Sequence, residues 1–102
     1  MDNNNPNYAS DEFGVLFDKG MSTLITYPIG NTRDSYSISD SVIIVKNRSF
    51  GNSTNLSSVF IGEGVTSIGY STFWGCTNLT SITIPDRVTS IGGSAFYGCS
   101  SL

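Results

Sequence analysis

The sequence of 102 residues contains no histidine, which removes the commonest general base and the commonest zinc ligand. No Gly-x-Ser-x-Gly motif occurs, and serine is so abundant that no single serine stands out as a nucleophile. The acidic residues are scattered, with one adjacent pair near the start of the chain. We therefore predict that the chain has no catalytic residues and is not an enzyme.

Charged residues are also scarce, at 13% of the chain with a net charge of −3. Without a basic stripe, nucleic acid and anionic membranes are poor partners. The longest apolar run, Val42 to Val45, is too short to cross a bilayer or to serve as the apolar part of a signal peptide. We expect no direct membrane insertion, and any export signal of the parent protein is expected to lie outside this chain.

A repeat of 23 residues dominates the sequence that is present. Ten of the fifteen positions in 65–79 are identical in 88–102. A worn copy lies 23 residues earlier, where the apolar positions are taken by Val42, Val45, Phe50 and Leu56. Such self-similarity is typical of a solenoid, in which each repeat buries its apolar face on the next.

Each repeat predicts a coil with three parts. The first part is a short strand, clearest in 80–84, where alternation points Ile82 and Ile84 inward and Ser81 and Thr83 outward. The second part is another short strand with Val and Ile inward, as in 65–68. The third part is a tight segment that predicts a single helical or 3₁₀ turn, with Ser71 and Ser94 as N-caps and Gly75 and Gly98 as C-terminal stops.

Two further regions precede the repeats. Residues 1–12 are Asn-rich and lack an apolar period, which predicts a flexible tail. Residues 13–34 predict a capping β-hairpin and a connecting loop, with strands at 13–17 and 23–27 and a turn in which Gly20 adopts positive φ. We expect residues 35–102 to hold about three repeats and to be truncated at the C-terminus, because the sequence stops where the next strand would begin.

One string resembles a known family. The spacing Leu79-x-x-Ile82-x-Ile84-Pro85-x-x-Val88-x-x-Ile91-Gly92-x-x-Ala95-Phe96-x-x-Cys99 resembles the BspA-like, or Treponema pallidum-type, leucine-rich repeat. The hairpin is similar to a segment that often precedes such repeats. The first coil departs from the pattern by lacking the Gly, Ala and Cys, and Gly62 stands where proline is usual. The resemblance implies a curved leucine-rich-repeat solenoid with parallel strands, displayed on the surface of bacteria or of some protozoa for adhesion and host-protein binding.

Two columns of stacked residues admit a chemical interpretation. Cys76 and Cys99 lie one repeat apart, and side chains at equivalent positions point in parallel, so we favour free buried thiols over a disulfide. Glu63 and Asp86 also stack and could hold calcium, but Arg87 lies beside Asp86, so solvated turn residues are favoured. We predict no metal and no cofactor.

The favoured function is a non-catalytic, protein-binding scaffold of a cell-surface or secreted protein, with an extracellular or host protein, or a glycan, as partner. The alternatives are a structural spacer and a glycan-binding module. Five side chains are candidate ligand contacts because they face outward, either in the first-strand column or beside the inward phenylalanines: Ser37, Phe60, Thr83, Trp74 and Tyr97. An irregular column favours binding, whereas uniform Ser and Thr would favour a spacer.

The last coil presents an apolar face with no following strand in this sequence. Val88, Ile91 and Phe96 lie beneath that face. An uncapped repeat invites pairing with another chain. We therefore expect weak self-association through the C-terminal coil, or fraying there.

Overall fold

Two kinds of strand pairing organise the computed structural model, which describes residues 8–11, 14–28 and 31–102. Most of the predicted flexible tail, residues 1–7, and part of the predicted hairpin and loop, residues 12–13 and 29–30, lie outside the described residues. The described strands are β1 (Tyr8–Ser10), β2 (Leu16–Asp18), β3 (Thr23–Thr26), β4 (Ser35–Ser37), β5 (Ile44–Val45), β6 (Ser58–Phe60), β7 (Ser67–Ile68), β8 (Ser81–Thr83) and β9 (Ser90–Ile91).

The strands form two sheets, and every coil contributes one strand to each sheet. One sheet has the order β4-β6-β8, and the other has the order β1-β2-β3-β5-β7-β9. All pairs between coils are parallel, with Val59 opposite Ile82 in the first sheet and Val45 opposite Ile68 in the second. We name the coils by the strand that opens them: coil one is 35–57, coil two 58–80 and coil three 81–102. The predicted solenoid with short parallel strands is confirmed.

The core runs along the axis of the stack, between the two sheets. The inward residues of the strands are buried in coils one and two, and a row of aromatic rings connects the coils. Tyr27 stacks on Phe50 at 5.1 Å between ring centroids, Phe50 on Phe73 at 5.0 Å, and Phe73 on Phe96 at 5.5 Å. One ring per coil thus continues the contact across the 23-residue step, which explains why the phenylalanine survives even in the worn copy.

The predicted alternation in the first strand of each coil is correct, but the burial of the inward residues depends on the next coil. Ser81 and Thr83 are exposed, and Ile82 is half-buried. Ile84, predicted to be buried, is 38% exposed, whereas Ile61 at the equivalent position of coil two is 6% exposed. Coil three lies over Ile61, whereas within residues 31–102 no further coil lies over Ile84. The predicted burial of Ile84 is therefore wrong.

The tight segments are turns, and the predicted helical or 3₁₀ turns are wrong: the described residues include no helix. Ser71 and Ser94 have φ of 52° and 58°, in the left-handed region, so they are not N-caps. Gly75 and Gly98 do adopt positive φ, at 75° and 80°.

In these segments, backbone hydrogen bonds to the next coil replace the hydrogen bonds that a helix would form. In the turns of coil one, alternate N–H groups donate to coil two: Arg48 to Tyr70 O at 3.0 Å, Phe50 to Thr72 O at 2.9 Å and Asn52 to Trp74 O at 2.7 Å. In the turns of coil two, Ser71, Phe73 and Gly75 donate to coil three in the same way, at 3.0, 2.8 and 2.8 Å. The intervening N–H groups, such as those of Gly51 and Trp74, donate to the carbonyl three residues earlier in the same turn. The amides are thus satisfied by an alternation of bonds between coils and bonds within a turn, which a helix cannot provide.

The hairpin is present, with details that differ from the prediction. Its strands are β2 and β3, and β3 pairs in parallel with β5, so the hairpin continues the six-stranded sheet. Tyr8–Ser10, which the sequence placed in the tail, forms β1 and pairs antiparallel with β2. Positive φ in the turn falls on Met21, at 57°, and not on Gly20. The Asp18 carboxylate accepts hydrogen bonds from the Ser22 and Thr23 amides, at 2.8 and 3.0 Å, and these bonds fix the turn instead.

Glycines mark where coils one and two approach closely, among them Gly62 and Gly69. A Cβ atom on Gly69 would lie 2.5 Å from Asn47 N, and one on Gly62 would lie 2.5 Å from both Ile38 O and Ser39 O. Both contacts are with backbone, which cannot rotate away. The glycine at position 62, where the repeat pattern usually has proline, therefore allows a close approach to coil one.

Candidate functional site

The outer face of the three-stranded sheet carries three of the predicted contact residues. Strand register places Phe60 directly between Ser37 on β4 and Thr83 on β8. All three side chains are exposed, since their neighbours Tyr36, Val59 and Ile82 point into the core. The predicted column exists as a contiguous surface, which we call the strand face.

Phe60 is the one large apolar side chain in the column, and it is 55% exposed. Short hydroxyl side chains surround it, from Ser58 on its own strand and from the facing positions of β4 and β8. An aromatic ring encircled by small polar groups is the usual composition of an anchoring contact in protein recognition.

The turns on the other side of the coils form a second exposed surface, which we call the turn face. It holds the two remaining predicted contact residues. Trp74 and Tyr97 are 42% and 66% exposed, and their rings stack with 6.4 Å between centroids and 11° between planes. The guanidinium of Arg48 lies 5.6 Å from the centroid of the Tyr70 ring, a cation–π distance.

A groove of about 530 Å³ opens on the turn face, beside Trp74. Its described lining residues are Arg48, Gly51, Asn52, Ser71 and Trp74. The volume lies within the range of ordinary small-ligand sites. Arg48 is the charged residue among them, so the groove has positive character in a chain whose net charge is −3.

The two cysteines lie in the core, away from both faces. Each is a free thiol, and each Sγ donates to a carbonyl of the preceding coil: Cys76 to Phe50 O at 3.1 Å and Cys99 to Phe73 O at 3.0 Å. Burial raises the pKa of Cys76 to about 11 and raises the pKa of Cys99 as well. The thiols are thus neutral, and their place in the ladder matches the interpretation as buried apolar residues.

Glu63, one of the two stacked acids, donates its backbone N–H to Asp40 Oδ1 in coil one at 2.9 Å. Within residues 8–11, 14–28 and 31–102, no group of three or more His, Cys, Asp or Glu side chains is placed to hold a metal.

A buried tyrosine pair lies beneath the hairpin. The Tyr36 hydroxyl donates to the Asp11 carboxylate at 2.6 Å, and its ring meets Tyr27 edge-on at 5.3 Å between centroids. Burial, then the bond to Asp11, raises the pKa of Tyr36. Neither ring reaches the surface, so the pair joins the hairpin to coil one and offers nothing to a ligand.

The structure thus divides the predicted contact residues between two faces. Sequence reasoning did not identify Arg48, Gly51 and Asn52, because coil one was treated as a worn copy; the glycine in a column otherwise held by Trp74 and Tyr97 was the available signal. It also did not identify Ile43 and Ile44 as exposed, because the run from Val42 to Val45 resembles a fully buried strand.

Comparison with known proteins places these features in a family context. The sequence profile described as "BspA type Leucine rich repeat region (6 copies)" matches residues 31–102. No curated protein matches the chain significantly. Across the described residues, we find no helix that is long and apolar enough to cross a membrane.

Several solved structures resemble the chain. A leucine-rich repeat protein from Eubacterium ventriosum is 35% identical with a TM-score of 0.92, over 97% of this chain and 26% of that protein. A leucine rich cell surface protein from Faecalibacterium prausnitzii is 30% identical with a TM-score of 0.88, over 94% of this chain and 26% of that protein. The Treponema pallidum leucine-rich repeat protein is 24% identical, with a TM-score of 0.73 over 93% of this chain and 44% of that protein, and shows the fold alone. The chain therefore spans about a quarter of the length of the first two.

Proposed function

Because this chain belongs to the BspA-type leucine-rich repeat family, we propose that it is part of a non-catalytic binding scaffold on a cell-surface or secreted protein. The scaffold fits the repeat architecture, in which stacked strands present a continuous row of side chains. Its partner is an extracellular protein, such as a host adhesion target. The name of the Faecalibacterium prausnitzii protein, a leucine rich cell surface protein, supports display outside the cell.

One observation carries the proposal: the exposed Phe60 ring at the centre of the strand face. A solvent-facing position on a short strand has no structural need for phenylalanine, since Ser37 and Thr83 serve at the same position in coils one and three. Burying the ring against a partner would return about 1.5–3 kcal/mol. A partner therefore provides the Phe60 ring with burial that the solenoid itself does not provide.

A structural spacer is the competing function. A spacer needs only uniform hydroxyl side chains on its outer surfaces. The strand face departs from that uniformity at one position in its central coil, and the turn face departs from it with Tyr70, Trp74 and Tyr97. These departures support binding over spacing.

The hairpin completes the scaffold at its N-terminal side, and we propose that β1–β3 act as a cap for coil one. The apolar side chains of Phe17, Leu24 and Tyr27 are buried in the same core as coil one. Pairing of β3 with β5 also covers a sheet edge that would otherwise be open to other chains.

The binding proposal is tested by pulling down a panel of host extracellular-matrix proteins with the immobilised chain. We expect at least one matrix protein to bind, and Phe60→Ser to weaken that binding by about 30-fold or more, the loss typical of an anchoring aromatic residue. Ile43→Ser is the matched control, because Ile43 is exposed to a similar degree and lies just before β5, away from the strand face.

Two results would count against the proposal. Failure of every matrix protein to bind at micromolar concentrations would favour the spacer. Equal loss with Phe60→Ser and Ile43→Ser would show that exposed apolar area in general, and not the strand face, drives the association.

A further inference from the structure

The turn face contains an aromatic column with one position left empty. Gly51, Trp74 and Tyr97 occupy equivalent positions in coils one, two and three. The register is fixed by backbone hydrogen bonds at the next residue, from Asn52 N to Trp74 O and from Gly75 N to Tyr97 O. Tyr97 covers one side of the Trp74 indole. On the other side, where a third ring would stack, Gly51 has no side chain, and the groove occupies that space.

The rim of this empty position is polar and rich in donors. Arg48, Asn52 and Ser71 line the groove with a guanidinium, an amide and a hydroxyl. Among the described residues, the side chains of Asn52 and Ser71 make no hydrogen bond, and Arg48 pairs with the Tyr70 ring and with no carboxylate. Together the three side chains offer several N–H and O–H donors and two oxygen acceptors to an incoming molecule.

The backbone N–H groups around the groove already have hydrogen-bond acceptors. The N–H groups of Arg48 and Asn52 donate to coil two, and those of Ser71 and Gly75 donate to coil three. A peptide that binds by adding a strand needs unpaired backbone groups at a sheet edge. The five lining residues of the groove offer no unpaired backbone N–H, so its ligand is recognised by side chains and by the face of Trp74.

We propose that this groove binds a saccharide that carries a carboxylate, such as a sialic or uronic acid residue. The sugar ring takes the empty position of the aromatic column and lies on Trp74 opposite Tyr97. Its carboxylate pairs with Arg48, which is suited to bidentate contact with such a group. Its hydroxyl groups bond to Asn52 and Ser71. An aromatic side chain would fill the same space but would leave the polar rim without partners, which disfavours it.

The single tryptophan of the chain provides a direct readout, because Trp74 is the proposed stacking surface. The chain is titrated with 3′-sialyllactose and with a hyaluronan tetrasaccharide, following tryptophan emission. Lactose and the carboxyl-reduced tetrasaccharide are the matched neutral probes. We expect at least one acidic probe to change the emission, and its neutral counterpart to bind about tenfold more weakly or not at all.

Two variants locate the site. Gly51→Phe supplies the missing ring and is expected to abolish the response; its thermal unfolding is measured alongside, because a Cβ there lies 3.3 Å from Arg48 O. Arg48→Gln is expected to weaken the acidic probe about tenfold or more while leaving any neutral binding unchanged. Arg87→Gln is the charge-matched control, since Arg87 lies in the turn between β8 and β9 and does not line the groove.

The outcomes are decisive in either direction. An acid-dependent response that is lost in Gly51→Phe and weakened in Arg48→Gln, but not in Arg87→Gln, establishes the site. No response to either acidic probe at about 10 mM, well above the usual range of specific affinities, overturns the proposal. Equal binding of acidic and neutral probes, or binding that Arg48→Gln does not weaken, also overturns it. The site is independent of the strand face, so these results leave the Phe60 proposal unaffected.

Discussion

Replacing Gly69 by alanine tests the idea that coil spacing is set by backbone contact. The added Cβ would lie 2.5 Å from Asn47 N and 2.7 Å from Asn47 Cα, so coil two must move away from coil one. Overpacking of this kind costs about 1–3 kcal/mol. A domain of this size has a free energy of unfolding of about 5–15 kcal/mol, so the loss is a large share of it.

Gly93→Ala is the matched control for the same substitution. A Cβ on Gly93 has no heavy atom within 4 Å, and its φ is not in the left-handed region. Alanine there restricts the unfolded chain and should stabilise the protein by about 0.4–1 kcal/mol. The two variants have the same composition, and their free energies of unfolding should therefore differ by about 1.5–4 kcal/mol.

Urea unfolding measures the free energy of unfolding of both variants, and thermal unfolding measures their melting temperatures, each followed by tryptophan emission and far-ultraviolet circular dichroism. The melting temperature of Gly69→Ala should fall by roughly 5–20 °C, and that of Gly93→Ala should rise slightly. If Gly69→Ala unfolds like the parent chain, or if both variants lose the same stability, close approach of the coils is not what requires glycine at position 69.

Three other predictions follow from described contacts. The Thr23 and Ser22 amides hold the pKa of Asp18 below its ordinary value, so this carboxylate stabilises the fold above the ordinary pKa, and its contribution is lost as pH falls through the lowered pKa. Asp18→Asn should shrink the stability difference between about pH 6 and about pH 3, and an unchanged difference would contradict this. Cys76, with its pKa raised to about 11, should be alkylated more slowly than the less buried Cys99 in the native protein, and mass spectrometry should find both labelled after denaturation without reductant. The polypeptide of 102 residues should associate weakly through coil three or fray there, and light scattering that shows a strict monomer with slow amide exchange in that coil would rule out both.

Much of the architecture was predictable because the repeat encodes it directly. A 23-residue period with alternating Val59, Phe60 and Ile61 specifies which side chains enter the core and which leave it. The exposed Phe60 follows from that alternation alone. Burial at the last coil was less predictable, since Ile61 and Ile84 have the same local sequence role and differ only in whether another coil lies over them.

The turns were harder to predict, because their conformation depends on bonds to other coils. Ser71 followed by Phe73 and Gly75 has the local features of a capped helical turn. In the structure, Ser71 takes positive φ and its N–H donates to Gly93 O, 22 residues along the chain. Local propensity carries no information about such a partner. The groove was missed for a related reason: it is defined by the absence of a side chain at Gly51, seen only against the rings of later coils.

The hydrogen bonds between turns have a common direction, and that gives the stack an electrical polarity. In the backbone hydrogen bonds that 48–52 and 71–75 donate to the next coil, the N–H belongs to the earlier coil and the carbonyl to the later one. Peptide dipoles aligned in this way add, as they do along a helix, and leave partial positive charge where N–H groups are unpaired.

That positive end lies on coil three. Ser94, Phe96 and Gly98 occupy the positions whose N–H groups donate in the earlier coils, and among the described residues these three N–H groups have no acceptor. At the opposite end, Ser49 O accepts from Tyr27 N of the hairpin segment. Whatever covers coil three, whether a further coil or another molecule, must therefore bring carbonyl or carboxylate oxygens in the same spacing, while a partner for the first coil must bring donors. The two ends of the solenoid are not interchangeable, and a two-fold pairing of two turn ladders would oppose like charges. Association of two copies through coil three is therefore expected to use the apolar surface of that coil rather than its turn ladder.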